Sequence, residues 1–79
     1  MIKINFDKIT ESCQKNLVDE YQILDEHVVN LTTALDSADF KEKVGEVQYE
    51  LIVNQLKAMN EYETILEDRL INIGLATRE

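Results

Sequence analysis

The sequence predicts an all-α protein, an antiparallel helical hairpin with a short N-terminal arm, assembled into a homo-oligomeric helical bundle. Three observations lead there. Two long stretches place apolar residues at alternating steps of four and three, the seam of a helix packed along another helix. Proline is absent, and the only two glycines, Gly45 and Gly74, stand where those stretches begin or end. The chain has only 79 residues, and a chain of that size buries only about 60% of its unfolded surface.

Residues 1–7 form the arm. Ile2, Ile4 and Phe6 alternate with Lys3 and Asn5, a period of two that is extended rather than helical. Two readings fit so short a segment: an arm laying these apolar residues on a neighbouring surface, in another subunit, or a frayed terminus. Helix 1 is expected over 8–36, roughly 40 Å long at 1.5 Å per residue. Asp7 or Thr10 can accept from its first free N–H groups, and Glu11 places negative charge in the first turn, where the helix dipole favours it. Its seam reads Leu17, Tyr21, Leu24, Val28, Leu31, Leu35, with Asp19, Gln22, Asp25, Glu26 and Asn30 facing outward.

Residues 37–45 form the loop. Turn formers from Asp36 to Asp39 break the pattern, and Phe40 to Val44 make one short helical turn anchored by Phe40 and Val44. Gly45 then stands at an N-cap, with Gln48 three residues on as a weak capping box. Helix 2 follows over 46–73, ended by Gly74 as a C-cap, with 74–79 a loose tail.

Helix 2 carries two apolar stripes: Leu51, Gln55, Ala58, Tyr62, Ile65, Arg69, and Ile52, Leu56, Met59, Leu66, Leu70, Ile73. We assign the first to helix 1. One antiparallel partner covers only one stripe well, so the second needs another chain. Burial at ~25 cal/mol per Å² barely offsets roughly 1.5 kcal/mol per residue of ordering entropy in so small a scaffold. The expected form is an obligate homo-oligomer, with a four-helix bundle as the smallest assembly.

Charge narrows the function classes. Eight Lys and Arg face sixteen Asp and Glu, a net charge of -8, and the bases are scattered, which argues against a nucleic-acid binder. Cys13 is the only cysteine, no signal peptide opens the chain and no stretch reaches the roughly 18 apolar residues of a membrane span, so a reducing cytoplasm is expected. His27 is the only histidine. No metal set, no cofactor site and no catalytic residue can be named, so an enzyme is not expected. Cys13 reads as a packed or idle thiol, His27 as a surface or oligomer-contact residue, and the pairs Glu46/Glu50 and Glu63/Glu67 as a solvated acidic face.

Gln55, Tyr62 and Arg69 stand out, each seven residues from the next and so on one face. In an antiparallel hairpin Arg69 falls opposite Cys13 to Glu20, with Glu20 or Asn16 as a partner for its guanidinium, Tyr62 falls near Tyr21, and Gln55 near Val28. They either fix register, as isolated polar core residues do in coiled coils, or form a pocket between subunits in which Tyr62 stacks on a base and Arg69 binds a phosphate.

The run from Gln55 to Leu70, with Leu17-Val18-Asp19-Glu20, Leu24-Asp25-Glu26 and Phe40-Lys41 before it, resembles a family of small phage helical-hairpin proteins related to one from a crAss-like phage. The layout, a short N-terminal element and then a helical pair with an Ala-Met-bearing second helix, is also similar to phage anti-CBASS sponge proteins. That resemblance implies a phage-encoded, non-enzymatic anti-defence protein in the bacterial host cytoplasm. It would sequester a cyclic nucleotide or ADP-ribose-type immune signal between protomers, with Tyr62, Arg69, Gln55, Lys57 and Lys15 as the ligand-binding residues and Lys8 as a further cation. The competing reading is an acidic helical interaction module that inhibits or regulates a host protein.

Overall fold

The period-two segment at the N-terminus is a strand, β1 (Ile2–Ile4), and its partner is the other end of the same chain. The computed structural model describes residues 1–79. In it β1 pairs antiparallel with β2 (Ala76–Arg78), with Ile2 opposite Arg78 and Ile4 opposite Ala76. The arm is a strand rather than a frayed end, the surface that Ile2 and Ile4 lie on is that of their own chain, and the tail is not loose. The pleat explains why. Ile2 and Ile4 turn together onto the helices while Phe6, beyond the strand, stays 57% exposed.

A 3-10 turn (Phe6–Lys8) and an extended Ile9 separate β1 from α1 (Ser12–Leu35). Helix 1 therefore starts later than residue 8, and neither Asp7 nor Thr10 is its cap. Glu11 and Gln14 form a capping box: the Glu11 side chain accepts from the backbone at Gln14, and the Glu11 N–H donates to Gln14 Oε1 at 3.2 Å. After the turn at 36–39 come α2 (Phe40–Val44), the short helical turn expected there, and α3 (Glu46–Asn72). Gly45 precedes α3 at φ 88, a conformation costly for residues with a Cβ. Gly74, at φ 78, closes α3 in a Schellman motif, its N–H donating to Ile71 and that of Leu75 to Leu70.

The two long helices pack as the expected hairpin, in a body of 46 × 18 × 18 Å. The helix 1 seam holds, with Leu17, Tyr21 and Leu24 buried and Val28, Leu31 and Leu35 half-buried. The assignment of the helix 2 stripes is reversed. Ile52, Leu56, Met59, Leu66 and Leu70 face α1, whereas the stripe containing Gln55, Tyr62 and Arg69 is exposed along its length. Larger apolar side chains decided the matter, since the inner stripe supplies leucines where the outer one carries an amide, a phenol and a guanidinium. Ile73, at the helix end, departs from the inner stripe and is 49% exposed.

The core is confined to one end. Leu17, Val18, Leu66, Leu70 and Leu75 are buried with Ala76 where the ribbon closes over the helices, but no residue from 25 to 65 is fully buried. Val18 lies outside the α1 seam and is only 1% exposed, because the core receives the ribbon as well as α3. No helix is long and apolar enough to cross a membrane.

Candidate functional site

Residues seven apart on an α-helix lie on one face, about 10 Å from one to the next, and Gln55, Tyr62 and Arg69 share the α3 flank beside α1. Each opens onto a depression between the helices. Nearest the ribbon, Arg69 lines a hollow of about 420 Å³ with Leu17, Ile65, Asp68 and Asn72. Tyr62 lines the next, about 440 Å³, with Asn16, Glu20, Ile23 and His27 of α1. Gln55 and Met59 meet His27, Asn30 and Leu31 in the third, about 300 Å³. His27 belongs to the second and third alike, so these two join as a groove, while the Arg69 hollow shares no lining residue with them and lies further along the same α3 face.

Across the hairpin Arg69 shares a hollow with Leu17, within the stretch the spacing argument gives, whereas Tyr62 shares one with Leu24 and Gln55 one with Leu31, rather than with Tyr21 and Val28, and Tyr21 reaches Glu67. The environment of Arg69, Tyr62 and Gln55 also differs from a packed seam. These side chains are on the surface, Tyr62 being 42% exposed, and do not fix register within a dry seam. Arg69 has no ion pair with Glu20 or any other acid, because its flank faces its own hollow. Neighbouring Asp68 is engaged instead by Arg78 of β2. An unpaired guanidinium presents a planar fork of donors suited to an oxyanion, and an exposed phenol ring offers a stacking face. Lys57 and Lys15 are exposed and line none of the three hollows. Lys57 follows Gln55 by two residues, about 200° around the helix, and so points away from the groove.

A polar cluster inside the hairpin was missed. Glu67, read as part of a solvated face, is only 9% exposed and accepts a hydrogen bond from the Tyr21 hydroxyl at 2.9 Å. One turn earlier, Glu63 is half-buried, with its Oε2 enclosed and unpartnered. Burial, then the adjoining Asp25 carboxylate and the charge of Glu67, push Glu63 up to about 7. Burial and the bond to Glu67 hold the Tyr21 phenol well above its ordinary range. A signal was present in the sequence: Glu63 occupies the vacant step between Met59 and Leu66 in the inner four-three repeat. Cys13 is exposed, its thiol donating to Glu11 at 3.5 Å.

Comparison with known families decides the relationship. The Sequestin family model matches residues 11–72. The chain belongs to the Sequestin family. The Sequestin span runs from Glu11, the cap of α1, to Asn72, the last residue of α3, and so includes Gln55, Tyr62 and Arg69 but neither strand of the ribbon. No curated protein and no solved structure matches the chain.

Proposed function

We propose that this protein captures a small-molecule signal without converting it, a cyclic nucleotide or ADP-ribose-type immune messenger, and so acts as a phage-encoded sponge in the bacterial host cytoplasm. The unpaired Arg69 guanidinium, on the same α3 face as Tyr62 and Gln55 with each of the three lining a hollow, is the observation that carries this reading. Such a line offers a phosphate partner, a ring to stack on and an amide for an edge. The family's name, which speaks of sequestering, supports capture.

A homo-oligomer belongs to the same proposal. The groove is open to solvent, and Leu51 at 55% and Ile65 at 58% exposure continue its apolar margin. Seating a second copy there would enclose the hollows and bury the outer stripe that the hairpin leaves uncovered. Sites that hold small ligands bury most of the ligand's surface, and an open groove on one protomer does not. The same exposed residues, on an acidic chain, favour one competing reading, a module that docks on and inhibits a host protein.

Thermal melting against a panel of cyclic di- and trinucleotides and cyclic ADP-ribose isomers tests capture. A ligand at 100 times its Kd adds about 2.7 kcal/mol of stability, a large rise in Tm for a domain of this size. Unaltered ligand recovered after heat denaturation supports sequestration, and a changed product indicates an enzyme. No rise with any member of the panel, together with stoichiometric capture of one host protein, would favour the inhibitor.

A further inference from the structure

We propose that the outer face of the terminal ribbon is a second binding site, for a small phosphomonoester, built from Lys3, Asn5, Lys8 and Thr77. The placement follows from the pleat. With Ile2 and Ile4 turned onto the helices, Lys3 points away from them. The register sets Thr77 directly opposite Lys3. The Asn5 N–H donates to the Leu75 carbonyl at 2.8 Å, carrying the pairing one step past the strand. The 3-10 turn that follows, with the Lys8 N–H donating to the Asn5 carbonyl at 3.2 Å, brings Lys8 back to the same side. These four exposed residues line a surface hollow of about 400 Å³ together with Asp7, Gly74 and Ala76.

Its chemistry is opposite to that of the rest of the molecule. Acids outnumber bases sixteen to eight over the chain, yet here two ammonium groups face one carboxylate. The ion pairs of the molecule are Lys43 with Asp39 and Arg78 with Asp68, so Lys3 and Lys8 are both uncommitted. Two ammoniums, an amide and a hydroxyl form a donor-rich set that matches an oxyanion. The volume falls within the roughly 300–1,000 Å³ typical of small-molecule pockets, which suits a phosphate carrying an organic group. Asp7 can accept from hydroxyls of that group. The hollow lies outside the span matched by the Sequestin model, and it stands whether or not the groove binds a messenger.

The test is a titration of the ¹⁵N-labelled full chain with inorganic phosphate and with AMP at constant ionic strength, with chloride as the control. Saturable shifts are expected at the amides of Lys3, Asn5, Lys8 and Thr77 with both phosphates and not with chloride, AMP binding the tighter. Lys3→Gln with Lys8→Gln should weaken AMP binding at least tenfold, while Lys3→Arg with Lys8→Arg retains it and Lys15→Gln with Lys57→Gln leaves it unchanged. Shifts confined to Tyr62 and Arg69 would assign AMP to that face of α3 and overturn the ribbon site. Shifts spread over every lysine, the absence of saturation, or equal binding by the glutamine pair would overturn it as well.

Discussion

The Tyr21 hydroxyl donates to Glu67 Oε2 at 2.9 Å, the one side-chain hydrogen bond that joins the two long helices. It lies at the edge of the leucine core, where an unpaired carboxylate would be costly. Tyr21→Phe removes that donor while keeping the ring, and should lower stability by about 1–3 kcal/mol. Glu67→Gln keeps an acceptor and should cost less. Urea denaturation of both variants checks the order, and a larger loss for Glu67→Gln would refute the role given to this bond.

Glu63 gives the fold a pH dependence of unusual sign. Its folded pKa, about 7, lies above the ordinary glutamate value of 4.5, so protonation favours the folded state. The associated stability is complete below pH 4.5, declines between 4.5 and 7, and is absent above. The parent should therefore have a higher urea midpoint at pH 5 than at pH 8. Repulsion within an acidic chain acts in the same direction, so Glu63→Gln is the control: the difference between the two pH values should shrink in it. An undiminished difference would show that Glu63 titrates like an exposed glutamate.

Arg69 carries no ion pair and is exposed, so Arg69→Ala should change stability by no more than about 0.5 kcal/mol. Loss of a charge-assisted hydrogen bond, roughly 1.5–3 kcal/mol, should weaken binding of any nucleotide found by the melting panel tenfold or more. Lys57→Ala should do neither. Isothermal titration of the two variants decides whether this α3 face or the general cation content binds the ligand.

Ile65 is 58% exposed beside Arg69. If a second copy covers this margin, Ile65→Asp places a carboxylate in the interface and should shift the mass in sedimentation equilibrium toward the monomer. A parent already monomeric at working concentration would leave the stripe to a different partner.

Periodicity made the hairpin legible because the four-three repeat of Leu17, Tyr21, Leu24 and Val28 is set by helix geometry and no tertiary partner is needed to see it. Gly45 and Gly74 were equally plain, as their backbone conformations exclude most other residues. Pairing between the termini was hidden, since Ile2-Lys3-Ile4 shows a strand but not what it pairs with. Choosing between the two stripes of α3 failed for a related reason: both satisfy the repeat, and only the sum of burial along the helix distinguishes them. Gln55, Tyr62 and Arg69 were found by spacing alone, yet the same spacing is silent on whether they face a core or a groove. Glu63 and Glu67 were misread because a carboxylate pair one turn apart usually marks solvent, and the Tyr21 donor lies on the other helix.

The confinement of full burial to the ribbon end has a mechanical consequence. Local opening costs least where few apolar groups are buried, so the helix turns next to α2 should open more readily than those held by Leu66, Leu70 and Leu75. Residues 36–45 join α1 to α3 at that end, so such opening is a loosening of helix turns rather than a parting of the two helices, and Arg69 stands at the firm end of the molecule. Amide hydrogen exchange should follow the same gradient, fast near α2 and slowest at Leu66 and Leu70.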